Sequence, residues 1–210
     1  PSGCGKSTLL NIIAGLEKTT SGKVFCDDQE IMDTGTERGV VFQQYALFPW
    51  LTVLGNVKFG LSLQGMKKEK ADEIAMKYIR MVDLEDFVNS YPKELSGGMK
   101  QRVGIARALT NDPDILLMDE AFSALDPLVK NDLQFELLRI QEKMGKTIIF
   151  ITHDINEAFR LGTHVGILRD GRMVQIATPE EMLTNPADDY VQNFINTVNS
   201  SRVLSVRNVM

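Results

Sequence analysis

Apolar positions recur every three or four residues through Leu9, Leu10, Ile12, Ile13 and Leu16, directly after a glycine-rich run, a period that predicts a helix packed on a sheet. Residues 24–31 read as a short strand pair turning near Asp27-Asp28, and Gly39-Val40-Val41-Phe42 as a further strand ending at Gln43-Gln44. Residues 45–89 change character. Aromatics around Pro49-Trp50 precede a charged helix over about 67–81, which predicts a helical insert between strands. Ser96 suits the N-cap of a helix running to about Leu109, with Gly97 and Gly98 leaving its first turn bare of side chains. Ile115-Leu116-Leu117-Met118 is an unbroken apolar run, the mark of a buried parallel strand, and Asp119-Glu120 closes it. Asp126-Pro127 supplies an N-cap and a first helical residue. Leu133, Leu137, Ile140 and Met144 share one face of that helix, and Gly145 stops it. Residues 147–151 predict another buried strand, and Asp154 with Glu157 a capping-box-like helix start. Asp170-Gly171 between the apolar runs 165–168 and 173–176 predicts a hairpin, and Thr178-Pro179-Glu180-Glu181 opens a further helix. Past Phe194 the chain turns polar.

Composition narrows the class. With 210 residues and 43% hydrophobic content the chain suits one domain, or one domain with a small subdomain. The net charge of −5 gives no basic footprint for nucleic acid. Cys4 and Cys26 have no metal-ligand spacing, and one lies in the glycine-rich run, so a disulfide is not expected and a reducing cytosol is the natural setting. No apolar run reaches the ~18 residues of a membrane span, so any membrane link runs through a partner.

The chemistry begins at Ser2-Gly3-Cys4-Gly5-Lys6-Ser7-Thr8. This is a phosphate-binding loop, Gly-x-x-x-x-Gly-Lys-Ser/Thr, with Pro1 at the position after its first glycine. Consecutive N–H groups make a nest for phosphate oxygens, the following helix aims its N-terminus at them, Lys6 adds charge and Ser7 offers a hydroxyl to Mg²⁺. The strand that feeds such a loop is expected upstream of Pro1. Asp119, at the end of an apolar strand, is the expected direct or water-mediated holder of Mg²⁺, and Glu120 a base or positioner for water attacking the γ-phosphate. His153 follows the 147–151 strand and suits a γ-phosphate or water contact. Gln43 or Gln44, ending the 39–42 strand, suits contact with Mg²⁺ and water; spacing does not choose between them. Leu95-Ser96-Gly97-Gly98-Met99 forms a second glycine-flanked helix start and so a second anion site. Two such sites suggest two copies sharing each nucleotide.

Together these residues resemble the ATP-binding subunit of ABC transporters, over nearly the whole chain. The resemblance implies a P-loop NTPase (RecA-like) α/β fold, a mostly parallel sheet flanked by helices with an inserted helical subdomain. Ser2 to Thr8 is similar to Walker A, and Gln43 to the Q-loop glutamine. Leu95 to Met99 with Lys100-Gln101-Arg102 is similar to the signature motif, and Ile115 to Glu120 to Walker B. Ser123-Ala124-Leu125-Asp126 is similar to the D-loop, and His153 to the switch histidine. The implied ligands are ATP and Mg²⁺, the metal held through Ser7, Gln43 and Asp119. The implied partners are a second ATP-binding subunit, which completes each site by its signature motif, and permease subunits reached through the segment after Gln43. A substrate-binding protein is an indirect partner. The implied location is the cytoplasmic face of the membrane, as a peripheral subunit. The cassette is expected over residues 1–195, its helical subdomain over about 45–110, and a tail or the start of a CBS-like regulatory region over 196–210. The segment Ala46 to Thr52 and the signature resemble importers of nitrate, sulfonate or taurine. The stretch Met118 to Leu128 and Asn185-Pro186-Ala187 resemble importers of glycine betaine and proline, and that group is the expected one. Residues 1–210 by themselves are expected to hydrolyse ATP poorly; a nucleotide-binding fragment without catalysis is the alternative of a different class.

Overall fold

The structure is a computed structural model that describes residues 3–43, 46–123 and 125–196. Ser2, Gln44, Ala124 and the 197–210 part of the expected tail lie outside the described residues. The fold is mixed α/β, and the chain divides into two compact units, one of residues 1–10 with 150–210 and the other of residues 11–149.

Helix α1 (Lys6–Ala14) is shorter than its apolar period predicts. Gly15 takes φ 74°, and Leu16 N–H donates to Asn11 O at 2.9 Å, a left-handed stop that releases Leu16 from the helix. Leu10 and Ala14 are buried, whereas Leu9 and Leu16 are exposed.

In the 11–149 unit, β1 (Phe25–Cys26) and β2 (Gln29–Glu30) pair antiparallel across Asp27-Asp28, both at positive φ. Strand β3 (Arg38–Val41) leads to the helices α2 (Val53–Leu63), α3 (Lys68–Met81) and α4 (Gly97–Leu109). These three helices pack on one another, and Val57, Leu61, Ala75, Ile79, Val103 and Ala106 on them are buried. Strand β4 (Ile115–Asp119) runs parallel to β3, with Gly39 opposite Leu116 and Val41 opposite Met118. Helix α5 (Pro127–Met144) starts on Asp126, whose Oδ1 accepts from Val129 N–H at 3.1 Å, and stops at Gly145 in the left-handed region. It buries Leu133, Leu137 and Ile140, with Met144 only half-buried. Strand β5 (Thr147–Ile151) completes the order β3-β4-β5. The expectation of a buried β5 needs correction: its apolar residues are half-buried, whereas Leu116, Leu117 and Met118 of the central strand are buried. Place in the order alone does not decide burial, because β3 at the other end is buried where α4 packs on it.

In the other unit, α6 (Ile155–Leu161) is followed by β6 (Val165–Arg169) and β7 (Arg172–Ala177), an antiparallel hairpin. Asp170 (φ 49°) and Gly171 (φ 75°) make its turn, the left-handed pair that matches strand twist. Helix α7 (Pro179–Thr184) carries a capping box between Thr178 and Glu181, and α8 (Asp189–Ile195) closes the unit. Phe159, Val165, Ile167, Met182, Val191 and Ile195 form its apolar core. The Gln175 amide ties the two helices' junction to β7, donating to Asn185 O at 3.0 Å and accepting from Ala187 N–H at 2.9 Å.

Candidate functional site

The glycine-rich run up to Ser7 and His153 belong to the same unit. Gly3 and Gly5 take φ of 78° and 96°, left-handed backbone that other residues rarely adopt, and a side chain at Gly3 would meet nothing within 4 Å. Their role is conformational: they turn the chain into α1, which begins at Lys6. Cys4 is buried, and its carbonyl accepts from Gly171 N–H at 3.1 Å. The Lys6 ammonium lies 3.7 Å from Cys4 Sγ, and Ser7 and Thr8 are exposed. A recess is lined by Cys4, Lys6, Thr152, His153 and Asp154. His153 is exposed at the turn between β5 and α6. The expected capping box at that turn is corrected. The Thr152 hydroxyl donates to the Glu157 carboxylate and accepts from Asp154 N–H at 2.9 Å, so Glu157 reaches the N-cap through the threonine.

The carboxylates sit in the other unit. Asp119 ends β4, and its Oδ1 is buried with no hydrogen-bond partner. Such an acceptor suits a cation or a cation's water, because an unmet buried carboxylate oxygen is otherwise costly. Glu120 takes φ 44°, unusual for a non-glycine residue, and the bend carries its side chain out of the strand's alternation. Gln43 Nε2 lies 3.4 Å from Glu120 Oε2 and 3.3 Å from Ser123 Oγ. Among the described residues, Gln43 is therefore beside Glu120. Ser123 is exposed, Leu125 N–H donates to Phe122 O at 3.3 Å, and Asp126 is engaged as the N-cap of α5.

The start of α4 differs from that of α1. Ser96 Oγ accepts from Met99 N–H at 3.3 Å, and Leu95 is buried. Gly98 is buried too, and a Cβ there would overlap Val129 Cγ1 of α5. Arg102, one helical turn on, donates to Val82 O at 2.9 Å and forms an ion pair with the Glu136 carboxylate of α5 at 3.2 Å. Burial pushes the Glu136 carboxyl above its ordinary value, an effect that the Arg102 charge opposes.

Asn56 is a residue that sequence reasoning missed. Fully buried on α2, it accepts from Phe48 N–H at 2.8 Å and donates to the carbonyls of Phe48, Leu51 and Thr52 at 3.0–3.1 Å. It thereby shapes the segment after Gln43. A polar residue within the apolar run Val53, Val57, Leu61 was the available signal. Arg107 holds the same segment, donating to Ala46 O at 2.6 Å beside the Phe48 ring, and burial lowers its pKa.

The α/β fold and the ordered motifs define an ATP-binding cassette of the P-loop class. The chain belongs to the ABC transporter family, whose profile matches residues 1–123. It is 49% identical over its whole length to the glycine betaine transport ATP-binding protein OpuAA of Bacillus subtilis, covering 52% of that protein. It is 50% identical, again over its whole length, to the glycine betaine/carnitine transport ATP-binding protein GbuA of Listeria monocytogenes, covering 55%. The chain thus spans about half the length of these relatives. An ABC transporter ATP-binding protein of Methanocaldococcus jannaschii is 57% identical over 84% of the chain and 67% of its own length. Among solved structures, a dimeric ATP-binding cassette in a post-hydrolysis state with ADP and Pi matches with TM-score 0.75 and 40% identity, over 85% of this chain and 82% of that one. Among the described residues no helix is long and apolar enough to cross a membrane.

Proposed function

We propose that this chain is the ATP-binding and ATP-hydrolysing part of an ABC importer for osmoprotectants of the glycine betaine and proline type. The relatives named for glycine betaine transport, similar from end to end of the chain, support that cargo over nitrate, sulfonate or taurine. The observation that carries the catalytic reading is the end of β4, where Glu120 stands at left-handed φ beside the Gln43 amide and follows an Asp119 oxygen with no protein partner.

Each residue's role follows from its chemistry. Gly3, Cys4 and Gly5 present backbone N–H groups to phosphate oxygens, and Lys6 neutralises charge on the β- and γ-phosphates. Ser2 and Thr8 complete the loop. Mg²⁺, when bound, draws charge from the transferring phosphoryl group; the oxygens of Ser7, Asp119 and Gln43 are those that would hold it. Glu120 orients the attacking water and takes its proton, while the Gln43 amide holds that carboxylate and His153 contacts the γ-phosphate. A second copy supplies Ser96, Gly97 and the start of α4 to the same triphosphate, and its D-loop (Ser123, Leu125, Asp126) borders that contact. The dimeric state of the cassette neighbour supports this pairing. Permease subunits contact the Ala46 to Thr52 segment, and the assembly lies on the cytoplasmic face of the membrane.

The test is Glu120→Gln in the full-length protein. ATP affinity should stay within about threefold while hydrolysis falls at least about a hundredfold, and ATP should trap a dimer on gel filtration. Normal hydrolysis by this variant refutes the assignment of Glu120. Uptake of labelled glycine betaine, set against nitrate, tests the cargo separately.

A further inference from the structure

Glu157 is a carboxylate only 6% exposed, on a seven-residue helix, directly behind the exposed His153. Burying a carboxylate is costly unless its oxygens are bonded, so its partners identify its task. One of them is the Thr152 hydroxyl, which donates to Glu157 Oε2 and at the same time accepts from Asp154 N–H at 2.9 Å. Asp154 in turn caps α6, its Oδ1 accepting from Asn156 N–H at 3.0 Å. The relay closes a ring from the first turn of α6 back to the last residue before the histidine. His153 is the middle residue of that ring, flanked on one side by the hydroxyl and on the other by the amide it holds. Its neighbours Thr152 and Asp154 are half-buried, while its own imidazole is exposed at the recess with Cys4 and Lys6. An ordinary capping box would tie Glu157 straight to the Asp154 amide and leave Thr152 free to rotate. Inserting the threonine fixes the backbone on both sides of the histidine.

Resting on the reading of His153 as the γ-phosphate contact, we propose that Glu157 is a positioning residue that acts through the Thr152 hydroxyl to hold the His153 backbone in its working conformation. The relay moves no proton in turnover; it restricts the directions in which the imidazole projects. Glutamine at 157 keeps an acceptor for the threonine, and serine at 152 keeps the hydroxyl. Valine at 152 removes the hydroxyl with little change of shape.

The experiment measures kcat, KM and nucleotide affinity of the full-length protein in the variants Glu157→Ala, Glu157→Gln, Thr152→Val, Thr152→Ser and His153→Ala, and in the pair Glu157→Ala with His153→Ala. Glu157→Ala and Thr152→Val should each lower kcat about tenfold or more and leave nucleotide affinity within about threefold, while the Gln and Ser variants stay near wild type. In the paired variant, Glu157→Ala should add less than about twofold to the loss from His153→Ala, because the two act as one unit. Should Glu157→Ala fail to fold, Thr152→Val carries the test alone, and a kcat within about twofold of wild type overturns the proposal. Multiplying losses in the paired variant overturn the positioning role while leaving His153 in place. A His153→Ala variant with normal kcat removes the reading of His153 itself and the proposal with it.

Discussion

The starts of α1 and α4 carry nearly the same sequence grammar, glycines beside a Ser or Lys at a helix N-terminus, and use it for opposite physical purposes. At α1, Gly3 and Gly5 adopt φ of 78° and 96° with nothing closer than 3.8 Å to a would-be side chain, so its absence permits a backbone shape. At α4, Gly98 lies within a helix and faces Val129, so the missing side chain permits a close approach. At α4, Ser96 already occupies one amide and Arg102 pairs that helix with Glu136. A glycine in a motif therefore has two distinct reasons to be there, and substitutions separate them.

The largest effect is expected at the close approach. Gly98→Val should destabilise the protein by about 3 kcal/mol, because the valine meets a β-branched neighbour with few rotamers to escape into. Val129→Ala in the same chain should return a substantial part of that loss, as read by chemical denaturation. If the second substitution restores nothing, proximity to α5 is not why position 98 is glycine.

The conformational glycine gives the contrasting result. Gly5→Ala should cost about 1–2 kcal/mol and weaken nucleotide binding, since the strain lies in φ. The nearest atoms to its Cβ, Gly171 Cα and Leu168 Cδ2, stand at 3.8 Å, ordinary contact. Truncating Leu168 should therefore rescue nothing. Thermal melts with and without ATP analogue measure both quantities, and rescue by Leu168→Ala would erase the distinction between the two helix starts.

That distinction also marks what the sequence could say. The phosphate loop, the Walker B run, the Ser96 cap and the Asp170-Gly171 turn are local patterns, and the structure puts a loop, a strand, a helix start and a hairpin there. What escaped is tertiary. Nothing local distinguishes a Gly98 that faces α5 from one that leaves its turn bare for an anion. Asn56 reads as a polar interruption until the carbonyls around Leu51 surround it. Glu157 reads as a capping box until Thr152 intervenes. Leu16 fits the period of α1, yet Gly15 ends the helix first.

The cap of α4 sits lower in magnitude. Ser96→Ala should destabilise by about 1 kcal/mol, the usual loss when an N-cap oxygen is removed. Because Ser96 also stands as the proposed contact to a partner's nucleotide, ATP-driven dimerisation should weaken by more than the stability change explains. Analytical ultracentrifugation beside denaturation separates the two. Equal losses in both would leave Ser96 a cap alone.

The smallest effect tests what holds α4 in place. Burial, the largest influence on Glu136, makes its folded carboxyl keep a proton more tightly than the unfolded chain does, despite Arg102. From the ordinary glutamate value of 4.5 upward, the folded state then binds more protons than the unfolded one, so raising the pH favours unfolding. The contribution is full below that value and is lost as pH rises through the raised one. Glu136→Gln should remove this component from the slope of stability against pH, measured from about pH 4 to about pH 7. Ser96→Ala should leave the slope as it is and shift only the level. An unchanged slope in Glu136→Gln would mean that the Arg102 charge fully offsets the cost of burial, making α4 as electrostatically neutral in its setting as the glycine-lined start of α1.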